Sequence, residues 1–112
     1  MNTYYRFQPT GKDLLAWTSQ GSEVENAAGC VFAYRSPDET IAGFHAWGLP
    51  DFLAEVIEFT GDEASQYDPG DYEGVAIRPI AEIRRLELGE WLAEHGADDL
   101  AAAWDAKQLY CE

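Results

Sequence analysis

Ser36-Pro37-Asp38-Glu39 is the firmest local instruction in this chain. Serine at an N-cap accepts a hydrogen bond from an orphan helix N–H, and proline at the first helical position loses no bond it would have made. Glutamate three residues after the serine completes a capping box, and both acids face the positive end of the helix dipole. The pattern predicts a helix that continues through Thr40–Trp47. It buries Ile41 and Phe44, with Trp47 a further candidate, and ends at Gly48 before Pro50. A helix pinned there separates two apolar runs that each read as strand, Cys30–Tyr34 before it and Leu53–Phe59 after it.

The remaining segments fall into place around that helix. Tyr4–Phe7 reads as a first strand, closed by a turn at Gln8-Pro9-Thr10-Gly11. Lys12–Gln20 is compatible with one or two helical turns, and Ser19–Ala28 reads as a loop. In Leu53–Phe59 the apolar residues do not share one parity, which predicts a bulge or burial on both faces. Gly61–Gly74 is polar and rich in Gly, Pro and Asp, and reads as a loop. Val75–Arg78 is a strand that Pro79 ends or confines to an edge. Ala81–Leu88 reads as a further strand, and Gly89–His95 and Asp98–Leu109 as helices, the second capped by Asp98 and Asp99. Without strict βαβ alternation, the expectation is an α+β fold. A chain of 112 residues has room for one domain, here a mostly antiparallel sheet with about three to four helices.

Charge dominates the functional reading. The chain has 21 acidic and 7 basic residues and a formal charge of −14. Between Leu49 and Gly74 it carries Asp51, Glu55, Glu58, Asp62, Glu63, Asp68, Asp71 and Glu73 and not one Lys or Arg. Such a field repels nucleic acid and anionic lipid and attracts basic surfaces. A hydrophobic content of 46% argues against a disordered acidic tail. No apolar run reaches bilayer-spanning length, and Met1–Arg6 has neither a basic segment nor an apolar core of the secretory kind. The expectation is a cytoplasmic protein whose Cys30 and Cys111 remain thiols.

Motifs for chemistry are sparse. His45 beside Trp47 and His95 near Trp91 read as packing or capping residues, with no nucleophile motif nearby. Asp68–Glu73 is rich in oxygen ligands but lacks the spacing of a calcium loop, so no metal is expected. The fifteen aromatic residues exceed what so small a core hides. That singles out Tyr67, Tyr72, Trp47 and Tyr110 as interface candidates.

A first strand with Tyr4-Tyr5-Arg6-Phe7, a strand through Gly29–Tyr34, the Ser36-Pro37-Asp38-Glu39 helix and Glu73 ahead of Val75–Pro79 together resemble the small ADP-ribosyltransferase-like fold over residues 3–88. The resemblance implies that Arg6 holds a nicotinamide dinucleotide (NAD), that Ser19 or Tyr34 takes the middle position, and that Glu73 polarises the ribose hydroxyl. Some members of such families keep the scaffold without the activity. In size, charge and composition the chain is also similar in class to phage anti-defence proteins, anti-CRISPR proteins among them, and to immunity partners of nuclease toxins. The leading expectation is therefore an inhibitor that needs no cofactor and occupies the basic, nucleic-acid-binding surface of a target protein. It binds neither nucleic acid nor membrane directly. Asp62, Glu63, Tyr67, Asp68, Asp71, Tyr72 and Glu73 would form its working surface.

Overall fold

The computed structural model describes residues 2–14, 29–46, 54–64 and 74–110, the last four as backbone only. Among the described residues, four strands and three helices follow in the order β1 (Thr3–Gln8), β2 (Val31–Ala33), α1 (Pro37–Ala46), β3 (Glu55–Glu63), β4 (Val75–Glu87), α2 (Leu88–Glu94) and α3 (Asp98–Tyr110). The strands form one antiparallel sheet in the order β1-β3-β4-β2. This is the α+β architecture expected.

Alternation along the strands gives the sheet two apolar faces. One face presents Phe7, Phe32, Tyr34, Val56 and Ala76, and it packs against Phe44 of α1, Leu88, Trp91 and Leu92 of α2, and Ala101 and Trp104 of α3. The other gathers Tyr4, Val31, Ala33, Ile57, Phe59 and Ile77, with Leu14 packed against them. Burial on both sides explains the mixed parity of β3, where Val56 and Ile57 are neighbours and both fully buried. The edge strands β1 and β2 also meet. Tyr5 N–H donates to the Tyr34 carbonyl at 3.0 Å, and Tyr34 N–H donates to Tyr5 at 2.8 Å. The sheet therefore curls until its two edges touch.

Helix α1 starts where the capping pattern predicts. Ser36 Oγ accepts from Glu39 N–H at 3.2 Å, and Glu39 Oε2 reaches back to Arg35 N–H at 3.2 Å. The helix lies close on the sheet because residue 43 is glycine: a Cβ there would overlap the Tyr34 ring. Helix α2 ends at Glu94 with His95 as its C-cap, and the chain turns at Gly96, whose φ of 78° belongs to the left-handed region that glycine favours. That turn delivers the chain directly into α3.

Two expectations need correction. Gly61–Glu63 is not loop but the end of β3, paired with Pro79, Arg78 and Ile77 of β4. Gly61 makes this possible, since a Cβ would press on the Arg78 carbonyl and the Ile77 side chain at 2.6 Å each. Secondly, Val75–Arg78 and Ala81–Leu88 are one strand, which runs through Pro79 and gives up only Leu88 to α2. Pairing with β2 stops at Ile77, and the β3 register breaks beside Pro79, so a residue without an N–H is tolerated there. The register skips Ile80 and Ile83, and these two bulge residues are about half exposed, at 53% and 52%. The aromatic residues whose burial is described (Tyr4, Tyr5, Phe7, Phe32, Tyr34, Phe44, Phe59, Trp91 and Trp104) are all buried or half-buried. Trp47, Tyr67 and Tyr72 lie outside the described residues, as do the Tyr110 side chain, the segment 15–28, Leu53 and the helix stop at Gly48. Among the described residues, no helix is long and apolar enough to cross a membrane.

Candidate functional site

The end of β3 carries the two expected binding residues that are described. Asp62 is exposed opposite Arg78 in the β-ladder. Glu63 is held in place: Arg35 donates from Nη2 to Oε1 at 2.7 Å and from Nε to Oε2 at 3.0 Å, and Tyr4 Oη donates to Oε2 at 3.0 Å. The Arg35 hydrogen bonds keep the Glu63 carboxyl below the ordinary carboxylate range, while burial pushes the Tyr4 phenol up. Asn2, Tyr4, Gly61, Asp62 and Glu63 together line a shallow polar depression. Tyr67, Asp68, Asp71, Tyr72 and Glu73 lie outside the described residues.

Two further arginines are engaged in the same manner. Arg84 Nη2 bridges Glu58 and Glu94, at 2.9 Å from each. Arg85 bridges Glu55 at 3.2 Å and Glu82 at 2.5 Å. Glu58 is the most enclosed of these acids, its side chain only 10% exposed. Burial drives its pKa up, but donation from Arg84 and from Trp91 Nε1 (2.8 Å), with the Arg84 charge, outweighs that and holds it below the usual range. His95 stacks on Trp91 with ring centroids 4.2 Å apart, and its Nε2 lies 4.0 Å from Glu58.

Arg6, to which the resemblance gives the dinucleotide-holding role, is fully buried. Its Nε donates to Gln8 Oε1 at 2.8 Å, and its Nη1 donates to the Phe32 carbonyl at 2.6 Å, across the seam where β1 meets β2. Gln8 is in turn anchored by the carbonyls of Lys12 and Asp13. Tyr34, also expected as a candidate for the dinucleotide's middle position, is buried beneath α1. Ser19 and Glu73 lie outside the described residues. Among the described residues, no group of His, Cys, Asp and Glu is arranged to hold a metal ion. Cys30 is buried in the core.

Engagement of Arg35, Arg84 and Arg85 has an electrostatic result. They neutralise the carboxylates they hold, and other acids stay exposed to solvent. The clearest case was not anticipated from the sequence. Asp38, Asp98 and Asp99 are exposed around a groove floored by Ile41, Ala97 and Leu100, between α1 and the α2–α3 turn. These aspartates read as helix-dipole partners, and they do sit in the first turns of α1 and α3. The missed signal is tertiary: only the α2–α3 turn brings the two N-termini to one groove.

No protein-family model, curated protein or solved structure matches this chain.

Proposed function

We propose that this protein is a small acidic binding protein that occupies a basic, nucleic-acid-binding surface of a target protein. Phage anti-CRISPR and anti-defence proteins and toxin immunity proteins are the class it resembles. The reading places it in the cytoplasm and asks no cofactor of it.

The observation that supports this reading is the internal engagement of the arginines beside exposed aspartates. Arg35, Arg84 and Arg85 hold glutamates of the protein's own sheet and α2. Asp38, Asp62, Asp98 and Asp99 stay on the surface. Carboxylates presented this way can take the place of phosphates against Lys and Arg, through charge-assisted hydrogen bonds. A net charge of −14 speeds encounter with a cationic partner and disfavours acidic ones.

The test is to capture the partner from cells that make the protein, then measure association while varying salt and added nucleic acid. Screening shortens from about 8 Å at 0.15 M salt to about 3 Å at 1 M, so the association rate should fall steeply over that range. Nucleic acid should compete for the same partner. A salt-independent rate, or simultaneous binding of nucleic acid and this protein, would overturn the reading.

A further inference from the structure

The groove between α1 and α3 offers an apolar floor as well as charge. Asp38, Ile41, Ala42 and His45 follow the i, i+3, i+4, i+7 spacing of one helix face, and all four line it. Across from them, Ala97 and Leu100 descend from the α2–α3 turn. Ile41, Ala97 and Leu100 are half-buried and pack on the main core, so the folded scaffold fixes the floor. The opening beside His95 has a volume of ≈ 510 Å³ and the one beside His45 ≈ 310 Å³; they share Asp38, Ile41 and Leu100 and so form one continuous groove. No Lys or Arg is among the described residues that line it.

We propose that this groove docks a basic amphipathic helix of the target, an inference that rests on the acidic-binder reading and locates its contact. The ten residues of α1 span about 15 Å, room for two to three turns of a partner helix alongside. Apolar side chains one turn apart on that helix would settle on Ile41 and Leu100. Lys or Arg on its flanks would meet Asp38 on one wall and Asp98 and Asp99 on the other. The charge on the rim selects this occupant over others. Nucleic acid and acidic peptides are repelled, and a neutral apolar helix leaves three carboxylates to be desolvated without partners. A hydrated metal ion gains nothing from the apolar floor. An extended peptide would need an open strand edge, and the walls here are helices.

The probe is a synthetic peptide of Leu and Lys, about 14 residues or ~21 Å as a helix, ordered so that Leu forms one helical face. Its control has the same composition, scrambled so that no apolar face forms. Titrated into the ¹⁵N-labelled full chain, the ordered peptide should bind about tenfold or more tighter than the control. Amide shifts should centre on residues 38–45 and 95–100. Replacing Asp38, Asp98 and Asp99 together by Asn keeps side chains suited to helix starts and should weaken binding by about tenfold or more. Ile41→Ala with Leu100→Ala should do the same while the amide spectrum stays that of a folded chain.

Equal affinity for the two peptides, shifts centred on Asp62 instead, or no binding of either peptide would each overturn the groove. None of these bears on the salt test with the natural partner. A salt-independent association there would remove the acidic-binder reading even if the Leu-Lys peptide bound here.

Discussion

Trp91 Nε1 donates to Glu58 Oε2 at 2.8 Å, and the same oxygen accepts from Arg84 at 2.9 Å, so one carboxylate ties the sheet to α2. With Trp91 fully buried, the indole N–H needs this acceptor. Glu58→Gln keeps the shape and removes the charge, and should cost about 1–3 kcal/mol in urea unfolding at pH 7.

The pH dependence of that difference follows from its sign. The folded-state pKa of Glu58 lies below the ordinary value of 4.5. Its contribution is complete above the unfolded value and is lost as pH falls through the folded one. The stability gap between the parent and Glu58→Gln should therefore stay constant from about pH 7 to 5 and shrink below about 4.5. Denaturant melts across that range measure it; a gap that widens on acidification contradicts the assignment.

Gly43→Ala sets two effects against each other. Helix propensity alone favours alanine by about 1 kcal/mol. The Tyr34 ring, fully buried, occupies the space where the Cβ would go and cannot swing into solvent. Overlap should prevail, with a net loss of about 1–2 kcal/mol in the urea midpoint.

Ser36→Ala removes the acceptor for Glu39 N–H and should cost about 0.5–2 kcal/mol in thermal or denaturant melts. An unchanged midpoint would mean that the cap contributes nothing to α1.

Arg6→Lys separates a structural from a dinucleotide-holding role. Lysine lacks the planar fork that reaches Gln8 and the Phe32 carbonyl together. Stability should fall by about 1–3 kcal/mol. Calorimetry with a nicotinamide dinucleotide should register no heat of binding to either form. Saturable binding to the parent that Arg6→Lys abolishes would restore the transferase-like reading.

The local signals in this chain were readable and the tertiary ones were not. Ser36-Pro37-Asp38-Glu39 announces α1 because capping is chemistry between near neighbours; α2 and α3 also fall close to their expected ranges, but α3 already begins at Asp98, so Asp98 and Asp99 sit in its first turn and not at its cap. The mixed parity around Glu58 signals burial on both faces, with Val56 on one side and Ile57 and Phe59 on the other, while the bulge residues Ile80 and Ile83 lie on the partner strand β4. Pro79 and Gly61 mislead because both look like breakers, while β3 and β4 pair across them. Arg6 gives no hint of burial, since its partners are Gln8, two residues away, and Phe32 on another strand. The groove is least legible of all: Asp38 and Asp98 are sixty positions apart, and a glycine turn places them on one site.

The interrupted register of β4 bears on how the molecule meets copies of itself. Beyond Ile77, among the described residues, its outer edge is without a neighbouring strand, and two half-exposed isoleucines stand along it. An even row of backbone groups there would invite fibril-like stacking. The skips at Ile80 and Ile83 put that row out of step, so an approaching strand gains hydrogen bonds in one stretch and loses them in the next. Mutual repulsion between two chains of −14 acts in the same direction. Both features work against edge-to-edge pairing between copies of this chain.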